Sequence, residues 1–319
     1  ALTAQQVGDL ATREEPEPEP VAPVAGEGAV QVVQGSSVQG TLPVQTSSGG
    51  SLTFEVLTAP AHGTVVLDDA GTGAFTYTPD ADHLGVDSFT FRVQENGLWS
   101  EPATVTATTT SATGLVGAWD LDEGQGATAT DSSGLGNTGV VRGNPAWVSA
   151  VTGTGLDLDG TDDYVQVPDA DSIDLTTGLT LAAWIRPERA ATQYVLKKAT
   201  QNATDGYELG LSSAGTAFVR LNQRTSGDTF RVDSTTRYPT DGQTWMHLAA
   251  TYDGTTIRLY VNGVLEGQRT GPTAIRTNNL DLAIGAEPGG FRPFNGTLDT
   301  VRVHEQALDA SAVGRLAAR

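Results

Sequence analysis

The stretch WMHLAATYDGTTIRLYVNGVL, residues 245–265, decides the fold of the chain. Polar and apolar side chains alternate through MHLAATY at 246–252 and through IRLYVNG at 257–263, and Asp253 and Gly254 end the first run. A period of two is typical of extended strands, in which successive side chains point to opposite faces of a sheet. The stretch therefore predicts two successive β-strands joined by a turn.

Similar short runs, each ended by Gly, Pro, Asn or Asp, fill residues 51–110 and 115–305. No helical stretch separates them, and strands at this spacing are typical of β-sandwiches. The two segments differ in length, so the sequence predicts a small sandwich followed by a larger one. The predicted fold class is all-β.

The end of the chain is similar to its beginning. ALTAQQVGDLA at 1–11 and ALDASAVGRLA at 307–317 share seven of eleven residues. Within 307–318, Asp309 is placed to cap a helix whose apolar face would hold Leu308, Ala312, Val313 and Leu316. We therefore predict a C-terminal helix and a matching helix at 2–10. The segment TREEPEPEPVAPVAG that follows at 12–26 predicts an extended spacer, because alternating Glu and Pro favours polyproline II.

Composition excludes several classes of protein. The 319 residues hold 38 Asp and Glu against 18 Lys and Arg, a net charge of −20, so no nucleic-acid partner is expected. The chain has no cysteine, which excludes disulfides and cysteine-ligated metals. No apolar run approaches the roughly 18 residues of a membrane span, so no membrane insertion is expected.

Residues 115–319 resemble the bacterial laminin-G-like, concanavalin A-like jelly-roll domains. The resemblance rests on the opening stretch together with GAWDLDEGQGATATDSSGLGNTG at 117–139, GLDLDGTDDYVQVPD at 155–169 and FNGTLDTVRVHEQALDASAV at 294–313. It implies a jelly-roll sandwich that closes with an aspartate-bearing strand and a short helix. It also implies that residues 1–11 are the tail helix of a preceding domain of the same kind.

Residues 21–110 resemble the bacterial Ig-like or cadherin-like tandem modules of large surface proteins. The resemblance rests on LTFEVLTAPAHGTVVLDDAGTGAFTYTPDADHLGVDSFTFRV at 52–93. We therefore predict three segments. A tail helix and a Glu/Pro-rich linker occupy residues 1–23, an Ig-like β-sandwich occupies 24–110, and a laminin-G-like jelly roll occupies 115–319.

No arrangement of catalytic residues is recognisable in the sequence. The four histidines form no His-x-x-x-His pair, and no Walker, Gly-x-Ser-x-Gly or His-Glu-x-x-His pattern occurs. Jelly-roll glycosidases place two carboxylates across a cleft. The DLDG sequence at 157–160 is better explained as a turn, in which Leu156 and Leu158 face inward and Gly160 reverses the chain. We therefore expect no enzymatic activity.

Calcium is the expected cofactor, in a structural role. Ca²⁺ prefers several oxygen ligands, commonly Asp carboxylates and turn carbonyls, and TDSSGLGN places Asp131 in such a turn. In related jelly rolls an aspartate of the last strand often holds calcium together with an acid of the first strand. The matching positions are Asp299 and Asp122, with Asp120 as a substitute for Asp122. The alternative is that Asp131 forms an Asx-turn and Asp299 pairs with an arginine.

Aromatic residues beside loops are the candidate ligand-binding residues, because sugar-binding sites stack rings on exposed aromatic side chains. They are Trp147, Tyr194, Tyr238 and Phe291. Packing of the loops is the alternative role for each of them. Other aromatic residues stand inside alternating apolar runs and are expected in the core: Trp119, Trp184, Trp245 and Tyr260.

The sequence thus predicts a non-catalytic repeat unit located outside the cell or on its surface. Its laminin-G-like domain would bind a glycan or a cell-surface polymer, and its Ig-like domain would act as a spacer. Neighbouring repeats of the same protein are the other expected partners. Two alternatives stay open, a purely structural stalk or matrix repeat and an accessory carbohydrate-binding region of a secreted hydrolase.

Overall fold

The computed structural model describes residues 21–46, 49–80 and 83–318. These residues form two compact units that divide near residue 108. Both units consist of β-sheets with only short helices, which confirms the predicted all-β class. The helix expected at residues 2–10 lies outside the described residues, as does most of the Glu/Pro segment. No helix in the described ranges is long and apolar enough to cross a membrane.

The first unit is built from short strands. They are β1 (Val24–Ala25), β2 (Gly28–Val33), β3 (Val38–Thr41), β4 (Val44–Gln45), β5 (Leu52–Thr58), β6 (Gly63–Asp69), β7 (Ala74–Pro79), β8 (Gly85–Glu95), β9 (Leu98–Trp99) and β10 (Ala103–Thr110). The largest sheet has the strand order β2-β10-β8-β5, with β9 beside β8. Strands β3-β7-β6 form a second sheet, and β1 pairs with β4.

Alternation along β8 fills the core of the first unit. Phe89, Phe91 and Val93 are buried, whereas the residues between them remain partly exposed. The ring of Phe89 meets the ring of Phe75 edge to face, with centroids 5.3 Å apart. Such edge-to-face pairs add stability beyond the area that they bury. The small unit therefore holds together around a cluster of aromatic rings.

The second unit is larger and holds the remaining strands. They are β11 (Leu115–Trp119), β12 (Thr128–Ala129), β13 (Gly139–Arg142), β14 (Ala146–Ser149), β15 (Thr154–Asp159), β16 (Tyr164–Val167), β17 (Leu179–Pro187), β18 (Gln193–Thr200), β19 (Thr204–Leu211), β20 (Thr216–Leu221), β21 (Arg231–Arg237), β22 (Met246–Tyr252), β23 (Thr256–Val261), β24 (Val264–Thr270), β25 (Leu282–Ile284) and β26 (Asn295–His304). The helices are a 3₁₀ turn at Asp171–Ile173, α1 (Gln223–Ser226) and α2 (Ala310–Leu316).

Two antiparallel sheets face each other in the second unit. Sheet I has the order β14-β15-β26-β17-β22-β23-β24, with β11 also paired to β26. Sheet II has the order β12-β13-β16-β25-β18-β19-β20-β21. A single hydrophobic cluster fills the space between them and includes residues from strands of both sheets. This is the predicted large sandwich.

The stretch at 245–265 forms β22 and β23 of sheet I, as its alternation predicts. Every second residue of β22 enters the core between the sheets: Met246, Leu248, Ala250 and Tyr252. The opposite face of the hairpin is also buried, because α2 packs on it. Val313 of that helix clusters with Ala249 of β22 and Tyr260 of β23.

Helix α2 begins where the sequence predicts a cap. The Asp309 carboxylate accepts a hydrogen bond from the backbone N–H of Ala312 at 2.7 Å. Val313 is fully buried, while Leu308 and Leu316 pack partly buried beside it. The predicted apolar face is therefore the face that covers sheet I.

The turn after β15 is also as predicted, and it places β16 beside the candidate site. Leu156 and Leu158 point into the core, and Gly160 reverses the chain with φ of +75°. A left-handed φ of this kind favours glycine because it has no Cβ. The next strand, β16, then pairs with β13 on one side and β25 on the other.

Candidate functional site

A groove of about 350 Å³ crosses the outer face of sheet II. On β16, Val165 and Val167 belong to the core, so Tyr164 and Gln166 point outward into the groove. On the neighbouring β25, the small Ala283 is the outward residue between two core residues and forms the floor. Small side chains between larger ones leave an open channel along the sheet. Alternation along two paired strands therefore creates this groove, which we call the hairpin groove.

A hairpin at Glu287–Phe291 forms the other wall. The backbone N–H of Glu287 donates to the carbonyl of Phe291 at 2.8 Å. Gly289 and Gly290, with φ of +85° and +81°, make the reversal. A Cβ on Gly290 would stand 3.1 Å from the ring of Tyr164, so glycine allows the tip to approach that ring closely.

Glu287 anchors the hairpin over the sheet. Its carboxylate accepts hydrogen bonds from the backbone N–H of Gln201 at 2.8 Å and from Arg292 at 2.7 Å. It also accepts one from Lys197 Nζ at 3.2 Å. Charge-assisted hydrogen bonds of this type are stronger than neutral ones. The wall of the groove is thus fixed from below before any ligand arrives.

Lys197 lies fully buried beneath the hairpin with 0% of its surface exposed. Its Nζ lies 2.7 Å from a carboxylate oxygen of Glu208 and 3.9 Å from the ring centroid of Tyr194. Burial lowers the pKa of Lys197, but the attraction of Glu208 outweighs this and the pKa is raised. Lys197 therefore stays charged and links β18 to β19 and to the hairpin.

A second cleft, of about 400 Å³, opens on the other side of the hairpin. It is lined by Gln201, Asn202, Glu287, Phe291 and Arg292. Phe291 is 65% exposed. Asn202 and Arg292 both have left-handed backbones, with φ of 62° and 48°. Strained backbone of this kind clusters at ligand-binding sites, and a large exposed ring beside amide and guanidinium groups is suited to bind a sugar.

Polar side chains continue across the outer face from the hairpin groove. Arg142 Nε on β13 donates to Gln166 on β16 at 2.8 Å, and Gln166 in turn donates to Asp281 beside β25. Asp281 also accepts the backbone N–H of Asp169 at 3.1 Å. These contacts hold the polar groups in a row, so the groove presents donors and acceptors in fixed positions.

The four predicted aromatic residues differ in their exposure to solvent. Phe291 is exposed at the site, and Trp147 is half-buried in a separate cleft. Tyr194 and Tyr238 are only 0% and 4% exposed, so the expectation that they offer rings to a ligand is wrong. Tyr194 lies under Lys197 and against Phe218. The hydroxyl of Tyr238 donates to the carbonyl of Ser212 at 2.7 Å, which ties its ring inside the fold.

Several groove residues were missed in the sequence. Tyr164, Gln166, Asn202 and Arg292 stand in no recognisable pattern for ligand binding. The alternation of YVQV at 164–167 is the signal available for two of them, because it separates the outward Tyr164 and Gln166 from the inward valines. Their neighbours in the groove come from distant parts of the chain.

The carboxylate of Asp131 accepts hydrogen bonds that shape the turn in which it lies. One carboxylate oxygen accepts the backbone N–H groups of Ala118 and Ser133, both at 2.9 Å. The other accepts the Ser133 hydroxyl at 2.8 Å and the backbone N–H of Asn137 at 2.7 Å. A carboxylate offers about four lone-pair sites, so none is left for a cation. Asp131 therefore does not fit the predicted role of metal ligand, and the Asx-turn alternative describes it.

Asp122 and Asp299 instead meet at one loop, residues 150–154. The fully buried Asp299 accepts the backbone N–H groups of Val151 at 2.9 Å and Thr152 at 3.1 Å. Asp122 accepts the backbone N–H of Thr154 in the same loop. Burial raises the pKa of Asp299, and the negative charge of Asp122 adds to this. The other oxygen of Asp299 accepts the Thr300 hydroxyl at 2.9 Å. One lone pair of that oxygen and the second oxygen of Asp122 are therefore the places left for a divalent cation.

Within the described ranges, three acidic side chains converge within 4.8 Å at one place, Asp159, Asp162 and Asp163. Asp163 uses its oxygens for the backbone N–H groups of Asn144 at 2.7 Å and Asp159 at 3.0 Å. Asp159 accepts the backbone N–H of Thr161 at 2.7 Å. These bonds shape the turn before β16, which agrees with the turn predicted from the sequence.

Comparison with protein families identifies both units. The family model for the concanavalin A-like lectin/glucanases superfamily, of the laminin G type, matches residues 159–314. The model for a bacterial Ig domain matches residues 20–110. Both resemblances noted in the sequence are confirmed, in the predicted order. No curated protein is detectably similar to the chain in sequence.

Solved structures share the fold at low sequence identity. The binding domain of Paraclostridial Mosquitocidal Protein 1 is 18% identical with a TM-score of 0.53, covering 64% of this chain and 52% of that one. Domain 4 of AbnA, an extracellular arabinanase from Geobacillus stearothermophilus in complex with arabinotriose, is 22% identical with a TM-score of 0.51. It covers 64% of this chain and 98% of that one. The chain thus spans about half of the toxin domain and nearly all of the arabinanase domain.

Proposed function

We propose that this chain, which carries a bacterial Ig domain followed by a concanavalin A-like domain of the laminin G type, is a non-catalytic glycan-binding protein. The observation that carries the proposal is the hairpin groove on sheet II, with Phe291 65% exposed beside it. Ligand sites combine an apolar surface with a few fixed polar groups. Here the rings of Phe291 and Tyr164 supply the apolar surface, and the side chains of Gln166 and Asn202 supply the polar groups.

Preorganisation supports this assignment. Glu287 and the buried Lys197 hold the hairpin in place without a ligand. A binding site that is rigid in the free protein loses less entropy when the ligand binds. The arabinotriose complex named for the similar arabinanase domain is consistent with a sugar as ligand, and it supplies a first probe.

The test is a screen of the full chain on a glycan array, followed by titration calorimetry with the best glycan and with arabinotriose. Phe291→Ala should weaken binding by about tenfold, which corresponds to about 1.4 kcal/mol. Val264→Ala is the matched control, since Val264 on β24 is also 65% exposed. No binding to any glycan, or equal affinities for the Phe291→Ala and unchanged chains, would contradict the proposal.

A location outside the cell and a spacer role for the Ig domain belong to the same proposal. Laminin-G-like and bacterial Ig domains are typical of extracellular bacterial proteins, which supports this location. Neighbouring repeats of the same protein and a cell-surface polymer remain the proposed partners. Surface labelling of intact cells with an antibody to the chain tests this, because an intracellular protein would be stained after permeabilisation alone.

The accessory region of a secreted hydrolase is the second candidate. It is favoured by the coverage of 98% of the arabinanase domain. The two candidates differ in their preferred target. An accessory module should sediment with an insoluble polysaccharide, whereas an adhesive module should bind glycans displayed on cells.

We also propose a structural calcium ion, held by Asp122 and Asp299 and without Asp131. What supports it is the convergence of two carboxylates on the loop at 150–154, one of them buried with a raised pKa. A cation there would offset the repulsion between the two charges and join β26 to that loop. Chelation should therefore lower the melting temperature of the second unit.

A further inference from the structure

A cleft of about 490 Å³ lies apart from the hairpin groove, at the edge where β14 of sheet I and β13 of sheet II come together. Its lining is formed by residues 124–127, Val141, residues 143–145 and Trp147. None of these residues lines the hairpin groove or the cleft of Phe291. We call it the tryptophan cleft.

Trp147 is held in one orientation in this cleft. Its indole N–H donates to the carbonyl of Gly126 at 3.3 Å. Part of the ring packs against the hydrophobic core between the sheets, and the rest faces the cleft. The ring is thus fixed on one side and open on the other, which is the arrangement needed to stack against a flat ligand.

Two amide side chains lie beside the ring without bonding partners. Gln125 and Asn144 both line the cleft, and among the described residues neither side chain makes a hydrogen bond. Each amide offers a carbonyl acceptor and two N–H donors. Adjacent hydroxyl groups of a sugar ring need this pairing of a donor with an acceptor.

The turn that carries Asn144 is fixed from behind. Asp163 is 3% exposed, and its carboxylate accepts the backbone N–H of Asn144 at 2.7 Å. Gly143 has φ of +74°, and a Cβ there would stand 2.1 Å from an oxygen of Asp163. Glycine is therefore required at this position, and the amide of Asn144 is presented from a turn with little freedom.

We infer that the tryptophan cleft is a second, independent carbohydrate site that binds a ring of a neutral glycan. The apolar face of the sugar stacks on Trp147, and its hydroxyl groups bond to Gln125 and Asn144. No Lys or Arg lines the cleft, and exposed Asp159 and Asp162 lie beside Asp163. An acidic sugar would therefore be repelled, which excludes anionic glycans as ligands of this cleft.

The test uses the full chain carrying Phe291→Ala, so that the hairpin site is weakened. Xylotriose, cellotriose, arabinotriose and, as an acidic comparison, trigalacturonic acid are titrated by calorimetry and by tryptophan fluorescence. At least one neutral trisaccharide should bind and shift the fluorescence, and the acidic one should not bind. Adding Asn144→Ala and Gln125→Ala should weaken the neutral ligand by about tenfold or more.

Trp147→Leu should abolish the fluorescence shift, but it also removes core packing. The two amide variants keep the test decisive because both side chains are exposed and neither makes a hydrogen bond within the described residues. Adding Gln243→Ala, which removes an exposed amide that lines neither cleft nor the hairpin groove, is the matched control and should leave this binding unchanged. Failure of every neutral trisaccharide to bind, or unchanged affinity in the amide variants, would overturn the inference. Both outcomes are separable from the hairpin groove, which is tested by Phe291→Ala alone.

Discussion

Two buried histidines should make the second unit unstable in mild acid. His247 and His304 are 1% and 4% exposed. Burial lowers the pKa of each from 6.5 to about 4, and Arg302 contributes to the lowering for His304. In the unfolded chain both would return to a pKa near 6.5. The unfolded state therefore binds more protons than the folded state between pH 6.5 and 4.

This difference in bound protons fixes the direction and the size of the change in stability with pH. A histidine whose pKa is lowered in the folded state costs no stability above pH 6.5. As the pH falls from 6.5 toward 4, the free energy of unfolding decreases, because the unfolded chain takes up the proton more readily. At pH 5 the loss is about 2 kcal/mol for each histidine, so about 4 kcal/mol for the two. Hydrogen bonds outweigh burial at Glu266 and lower its pKa from 4.5 to about 2. Carboxylates of this kind lose their contribution to stability at lower pH than the histidines do.

The assay is urea unfolding of the full chain at pH 7, 6 and 5, followed by tryptophan fluorescence. Four of the five tryptophans belong to the second unit, so its transition dominates the signal. His247→Phe keeps an aromatic ring against Trp184, which lies 5.2 Å from His247 between centroids, but it cannot titrate. This variant should lose only about half as much stability from pH 7 to 5.

The unchanged chain, unfolded at the same pH values, is the reference for the His247→Phe variant. Because the compared chains share every carboxylate, their titration cancels in the difference. A His247→Phe chain that loses as much stability as the unchanged chain between pH 7 and 5 would refute the reasoning.

Three further predictions concern stability. Calcium at about 100 times its Kd should stabilise the second unit by about 2.7 kcal/mol, so chelation should lower its melting temperature by about 5–10 °C. Asp299→Ala should remove this shift in melting temperature. Identical melting curves for metal-stripped protein with calcium and with chelator would exclude the site. Lys197→Met removes the cation that Glu208 and Glu287 share and leaves each carboxylate with only its arginine partner, Arg220 or Arg292. Calorimetric melting should therefore show a loss of about 3 kcal/mol in the free energy of unfolding, at the low end of the range for breaking a buried ion pair. A loss below about 1 kcal/mol would mean that Lys197 contributes little to the stability of this network. Asp309→Ala removes the cap of α2 and should cost about 1 kcal/mol in urea unfolding, whereas Asp309→Asn, which can still accept the hydrogen bond, should cost much less.

Local patterns predicted most of the fold. The alternation at 245–265 and the cap at Asp309 depend on residues close together in sequence, and both are found where expected. Exposure is different, because it depends on what folds over a residue. Tyr194 stands beside a loop in the sequence, yet the hairpin anchored by Glu287 lies above its neighbour Lys197. The contact between Lys197 and Glu287 joins residues about 90 positions apart, and a local sequence pattern does not predict such contacts.

The candidate site was predicted only in fragments for the same reason. Phe291 was identified because it stands beside loop residues, and the same pattern also selected the buried Tyr194 and Tyr238. Its companion Asn202 comes from the turn between β18 and β19, and Tyr164 comes from β16. The small floor residue Ala283 carries no chemical signal of its own. The Asp131 turn shows the opposite error, since a sequence suited to calcium is equally suited to backbone N–H groups.

The anchoring of the hairpin separates two tasks that loops usually combine. Glu287 secures the base through three contacts, so the exposed ring of Phe291 is not needed to hold the hairpin in place. Substitutions at position 291 should therefore change the surface offered to a ligand while the jelly roll stays intact. A library randomised at position 291, with Glu287 and Lys197 kept, would test whether this domain can serve as a scaffold for selecting new sugar specificities.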